Sequence, residues 1–64
     1  MNMALKVAIL ESGRTQREIA EEIGVSEGYF SRFVRGWEQP NEDQRKAIAK
    51  ALRTKPEQIF AVAS

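Results

Sequence analysis

The 64-residue chain contains no cysteine and no histidine. These absences exclude disulfides, thiolate and imidazole metal sites, and the usual nucleophile–base pairs of hydrolases. We therefore expect no metal, no cofactor and no enzymatic activity. The chain also has little excess charge of either sign, because ten Lys and Arg residues against nine Asp and Glu residues give a net charge of +1. A polyanionic partner would have to be held by a local basic patch rather than by bulk charge.

A long hydrophobic run is also missing. The apolar beginning of the chain is interrupted by Lys6 and ends at Glu11, well short of the roughly 20 residues that span a bilayer. With no targeting segment visible either, we expect a cytoplasmic protein with no membrane partner. The length allows one small domain over residues 1–64, and 42% hydrophobic residues make an ordinary globular balance.

Four glycines and two prolines are few, and they divide the chain into helices. Residues 3–12 are predicted to form a first helix that Gly13 ends. Its inward face is predicted to consist of Leu5, Ala8, Ile9 and Leu10. Thr15 to Glu18 have the capping-box pattern and predict a second helix from Gln16 to the glycine at position 24.

Three further helices follow. Ser26 is a favoured N-cap for a third helix that Gly36 closes, with Phe30, Phe33 and Val34 on its core face. Asn41 is a good N-cap for a fourth helix, and Pro56 suits the first turn of a short fifth helix through Phe60. No stretch alternates apolar and polar residues as a strand would. The sequence therefore predicts an all-α bundle of five helices.

A twenty-residue pattern of apolar, small and glycine positions is filled by Ile19, Ala20, Ile23, Gly24, Val25, Phe30 and Phe33. Through these residues, the segment 16–35 resembles the helix-turn-helix of the phage repressor and Cro family, also called the XRE family. The resemblance covers roughly residues 4–60 and implies a compact lambda-repressor-like DNA-binding domain. It also implies a sequence-specific transcriptional regulator of double-stranded DNA, a repressor, that reads the major groove with helix 27–35.

The resemblance assigns base readout to the N-terminal part of the third helix. The residues concerned are Glu27, Gly28, Ser31 and Arg32. Arg32 has a planar fork that fits guanine O6 and N7. Glu27 either accepts a hydrogen bond from cytosine N4 or only stabilises the helix N-terminus. Gly28 either allows close approach to the groove or is a first-turn glycine of small cost.

Phosphate contacts are assigned to a second set, Gln16, Arg17, Tyr29, Arg35, Trp37 and Asn41, with Arg14 beside them. Alternatives stay open for most of these residues. Arg14, Arg17 and Arg35 would otherwise be ordinary solubilising charges. Tyr29 would otherwise cover the seam between the second and third helices, Trp37 would plug the core, and Asn41 would only cap the fourth helix.

Relatives in this family generally bind palindromic sites as two-fold dimers, so we expect a homodimer on a palindromic operator. Phe60 and Val62 are assigned to the dimer interface, and Ile59 to the monomer core. No small-molecule effector is evident.

The chain departs from the family pattern in several places. Val34 stands where the family often carries a Glu paired with a basic residue on the first helix, and Ile9 occupies the facing position. We predict a direct contact between Ile9 and Val34, since packed apolar groups often replace a buried ion pair without loss. Arg53 replaces a common glycine, which leaves the end of the fourth helix open, and the loop 37–39 lacks a cation.

A rival interpretation uses the same fold as a protein-interaction module, such as an antitoxin or adaptor. The acidic residues Glu27 and Glu38, near the expected DNA face, favour it. Salt-dependent binding to duplex DNA distinguishes the two interpretations.

Overall fold

The computed structural model describes residues 1–60 of the chain, and the regular secondary structure of this part is entirely α-helical. Its elements are α1 (Met3–Ser12), α2 (Gln16–Ile23), α3 (Glu27–Arg35), α4 (Glu42–Ala51) and α5 (Pro56–Ile59). The Cα radius of gyration is 10.3 Å. The all-α prediction and the order of the five helices are confirmed; α5 ends one residue earlier than predicted. No helix among residues 1–60 is long and apolar enough to cross a membrane.

Side-chain caps define where α1 to α4 begin. The predicted capping box of α2 is present: the Glu18 amide donates to the Thr15 hydroxyl at 3.1 Å, and the Thr15 amide donates to the Glu18 carboxylate at 2.9 Å. The same reciprocal pair joins Asn41 and Gln44 at the start of α4. Because these bonds satisfy amides that a helix leaves unpaired, the short helices have fixed starting points.

The turn between α2 and α3 depends on Gly24, whose φ of +82° is left-handed. This conformation lets the Val25 amide reach the Ala20 carbonyl at 3.0 Å. At the end of α4 the same kind of turn is made without glycine, because Arg53 adopts a φ of +57° and the Thr54 amide donates to Ala49. A left-handed non-glycine residue costs about 1–2 kcal/mol.

The N-terminal segment joins two helices through Asn2. Its side-chain oxygen accepts from the Leu5 amide at 3.0 Å and so caps α1. Its backbone amide donates to the Val34 carbonyl at 2.9 Å, in the last turn of α3. The beginning of α1 is therefore bound directly to the end of α3.

One apolar core lies between the helices. Its buried members are Leu5, Ile9, Ile19, Ala20, Phe30, Phe33, Val34, Ile48, Ala49, Ala51, Leu52, Ile59 and Phe60. No polar or charged side chain is buried in the described part of the chain. Ile9 and Val34 both belong to this core and α1 packs against α3, so the site of the family's ion pair is apolar here. Their direct contact stays a prediction.

Two assignments need correction. Leu10, expected in the core, is 71% exposed, because α1 is apolar on more than one side and its buried side is the one that carries Leu5 and Ile9. Phe60, assigned to a dimer interface, is only 5% exposed and packs in the monomer core beside Ile59. The helix ends at Ile59, so Phe60 continues in extended backbone and its ring enters the core. Val62 lies outside the described residues.

Candidate nucleic-acid interface

Helix α3 presents one face to the core and the opposite face to solvent. Phe30, Phe33 and Val34 are buried, and α3 packs against α2 and α1. The residues assigned to base readout lie elsewhere on the helix: Glu27, Gly28 and Arg32 are exposed and Ser31 is half-buried. The structure thus leaves the predicted reading residues accessible on a single helix of nine residues.

An open depression of about 360 Å³ lies on this helix, lined by Ser26, Gly28, Tyr29 and Arg32. A Cβ placed on Gly28 would meet no atom within 4 Å, so nothing in the protein itself requires glycine there. Arg32 makes no ion pair with any residue of 1–60. A bare backbone and an unpaired guanidinium therefore adjoin on the same surface.

Tyr29 forms one wall of this depression and is only half-buried. Its ring meets the Phe33 ring edge-on, with centroids 5.0 Å apart, and it packs against the core cluster. This position supports the alternative in which Tyr29 covers the edge of the core. Phosphate contact by its hydroxyl stays a prediction.

The end of α3 carries an aromatic–cation pair. Trp37 is 71% exposed, so the alternative in which it plugs the core is wrong. The guanidinium carbon of Arg35 lies 5.0 Å from the centroid of the indole ring, an arrangement worth about 0.5–1 kcal/mol at exposed sites. The loop after Gly36 has no cation of its own, but this stack places the Arg35 charge beside it.

The N-terminus of α2 is the other predicted phosphate site. Gln16 is its first residue and is half-buried. Arg17 pairs with Glu21 at 3.4 Å on the exposed surface, so its charge is partly balanced. Hydrogen bonds from the Thr15 amide and hydroxyl, with the nearby Arg14 charge, hold the pKa of Glu18 below its ordinary value.

Two polar residues near this surface have structural duties. The Arg14 guanidinium donates to the Ala51 carbonyl at 3.0 Å and pairs with Glu22 at 2.9 Å, which binds the end of α4 to α2. The Arg14 guanidinium is therefore already engaged within the protein and is not a free phosphate-binding group. The Asn41 side chain accepts a hydrogen bond from the Gln44 amide and so caps α4, which is the alternative role that the sequence offered for it.

A feature that the site prediction did not include is the outer side of α1. Met3, Val7 and Leu10 are all exposed there. Their spacing of four and three residues was the available signal, but the same helix has a second apolar side, and periodicity alone does not say which side is buried.

The sequence matches the family described as "Helix-turn-helix domain" over residues 5–60. It is 41% identical over 46 residues to an uncharacterized HTH-type transcriptional regulator of Mycobacterium tuberculosis, covering 72% of this chain and 33% of that protein. It is 39% identical over 49 residues to the transcriptional regulator ClgR of the same organism, covering 77% of this chain and 44% of that protein. The chain thus spans less than half the length of these relatives.

No solved structure gives a significant match. The match over residues 5–60 covers α1 from Leu5 and all of α2 to α5. Its helix-turn-helix consists of α2, the turn at Gly24 and α3. The chain belongs to the helix-turn-helix domain family.

Proposed function

We propose that this chain is the DNA-binding domain of a transcriptional repressor that recognises a specific double-stranded sequence. Residues 1–64 form a single domain in this proposal, and α3 enters the major groove. The relatives are named as transcriptional regulators, and the family's motif carries an accessible second helix of the kind that reads base edges.

The observation that carries the proposal is the exposed surface of α3 around Arg32. Its guanidinium has no ion-pair partner among residues 1–60, and it lies beside the bare backbone of Gly28. An arginine in this position is free to bind guanine O6 and N7 together. Glu27, Gly28 and Ser31 complete the proposed reading set.

Phosphate binding fixes the register of such a helix on the duplex. Gln16 and the free amides at the start of α2 supply one contact, and Arg35 with Trp37 supplies another at the end of α3. Tyr29, Arg17 and Asn41 complete the proposed phosphate set, with Arg17 and Asn41 already engaged in part by Glu21 and Gln44. The subunit binds as one half of a homodimer on a palindromic operator.

The test begins with selection of bound sequences from a random duplex pool, followed by titration of the selected site. Arg32→Ala should lower affinity by about 1–3 kcal/mol and abolish the preference for one guanine. Lys50→Ala is the matched control: it removes one exposed cation from α4, which packs mainly against α2 and α5, and should leave the preference unchanged. An unaltered base preference in Arg32→Ala would refute the assignment.

Salt dependence separates this function from the protein-interaction alternative. Each phosphate neutralised contributes about −0.9 to the slope of log K against log salt. Arg35→Ala should make the slope less negative by about one unit while leaving the selected sequence the same. Absence of binding to any duplex at low salt would favour the antitoxin or adaptor interpretation, to which the exposed Trp37 beside Glu38 would then be relevant.

A further inference from the structure

Helix α1 has an apolar face that no described residue covers. Met3, Val7 and Leu10 are 59%, 44% and 71% exposed, and they form the exposed α1 stripe. The opposite side of the same helix carries Leu5 and Ile9, which are buried in the core. The stripe is therefore additional to the surface that the monomer needs for its own packing.

Two charges of opposite sign flank this stripe. On a helical wheel Lys6 lies on one side of the Met3–Val7–Leu10 line and Glu11 on the other. Both residues are exposed, and neither forms an ion pair within residues 1–60. The helix therefore offers an apolar seam with a cation on one edge and an anion on the other.

This arrangement matches what two parallel helices require of each other. Met3, Val7 and Leu10 have the d, a, d spacing of a heptad, Lys6 takes the g position, and Glu11 takes the following e position. In a parallel pair related by a two-fold axis along the helices, Lys6 faces Glu11 of the partner subunit, and the contact occurs twice. An antiparallel pair would bring the two Lys6 residues together instead, which is unfavourable.

We propose that the exposed α1 stripe is the contact with a second copy of this chain, in a dimer whose two α1 helices lie parallel. This rests on the proposed function in one respect, because it supplies the two-fold partner that a palindromic operator requires. The exposed α1 stripe takes the place of the dimer contact that the sequence assigned to Phe60, because Phe60 is buried in the monomer core.

The area of the stripe sets the strength of this dimer. Three exposed apolar side chains present on the order of a few hundred Å², whereas a stable interface buries about 800 Å² on each partner. The dimer is therefore weak in free solution. Two half-sites on one operator raise the effective concentration of one subunit at the other and complete the assembly.

Cysteine crosslinking tests the geometry directly, since the natural chain has no cysteine. Leu10→Cys should form a disulfide-linked dimer under mild oxidation, because equivalent residues face each other in a parallel pair. Lys50→Cys, also at an exposed helical position, is the control and should crosslink only at the rate of random collision. A mixture of Met3→Cys and Leu10→Cys chains that prefers the mixed disulfide would indicate antiparallel helices. That result, or no excess over Lys50→Cys, would overturn the proposal.

Charge reversal tests the same contact without a crosslink. Lys6→Glu and Glu11→Lys should each weaken self-association by roughly tenfold in sedimentation equilibrium, because two favourable pairs become repulsive. The double reversal restores opposite charges at both contacts and should recover the association. Equal dissociation constants for all four proteins would contradict the proposal. All of these measurements are made without DNA, so failure of DNA binding and failure of the dimer contact are seen separately.

Discussion

Replacing Gly28 with alanine should raise the free energy of unfolding. Glycine in a helix interior costs about 1 kcal/mol relative to alanine, and Gly28 is the second residue of α3, where the full cost is not reached. A Cβ at this position meets no atom within 4 Å, so no clash offsets the gain. We expect a stabilisation of about 0.5 kcal/mol, which raises the melting temperature of a domain of this size by about 2–4 °C.

Gly13 provides the matched control. A Cβ there also meets nothing within 4 Å, but the backbone is left-handed, with a φ of +73°. Gly13→Ala therefore makes the same chemical change in the same open surroundings while placing alanine in a conformation that costs about 1–2 kcal/mol. The reduced entropy of the unfolded chain recovers about 0.4–1 kcal/mol. The net effect should be destabilising, opposite in sign to that of Gly28→Ala.

Urea denaturation followed by circular dichroism measures both changes, and fluorescence anisotropy with the selected duplex measures DNA affinity. If Gly28→Ala is no more stable than the natural protein, the helix-propensity argument is wrong for this site. If it is more stable and binds DNA normally, Gly28 is only a tolerated first-turn glycine. A more stable variant that has lost tenfold or more in affinity would instead show that the backbone at Gly28 approaches the groove.

Three further substitutions or conditions test other parts of the fold. Arg53→Gly removes a left-handed arginine and should stabilise the domain by about 0.5–1 kcal/mol in urea denaturation, while an unchanged midpoint would mean that the turn is unstrained. Asn41→Ala removes the cap of α4 and should cost about 1 kcal/mol by the same assay; a loss of less than a few tenths would show that the capping bonds are unimportant. Because the pKa of Glu18 is lowered in the folded protein from 4.5, its contribution to stability is present above that pH and is lost as the pH falls through the folded value. Glu18→Gln should flatten this part of a pH titration of thermal stability, and an identical acid limb in the variant would remove Glu18 as its cause.

Local sequence signals were sufficient for most of the helices. Thr15 and Glu18 form their reciprocal hydrogen bonds within a four-residue segment. The Gly24 amide donates to the carbonyls of Ala20 and Glu21, so the bonds of this turn also join residues close in the sequence. Interactions of such short range leave clear patterns in a sequence. The core face of α3 was equally plain, because Phe30 and Phe33 are large, apolar and three residues apart.

The errors arose where long-range packing decides the outcome. Leu10 and Ile9 are adjacent and similar in hydrophobicity, yet only Ile9 is buried, because the choice depends on how α1 lies against α3 and α5. Phe60 follows the end of a helix, where helical periodicity no longer gives its direction. The bond from Arg14 to Ala51 spans 37 residues, and no local pattern predicts it.

The double role of Asn2 has a consequence for the length of an operator. Because it caps α1 and donates to the last turn of α3, Asn2 holds the beginning of α1 against the end of α3. In a dimer joined through α1, the distance and angle between the two α3 helices are then fixed. One base pair inserted between half-sites separates them by about 3.4 Å and rotates one by about 35°. If α1 and α3 keep their relative position, the proposed dimer does not follow that change, and such a site should be bound by one subunit alone.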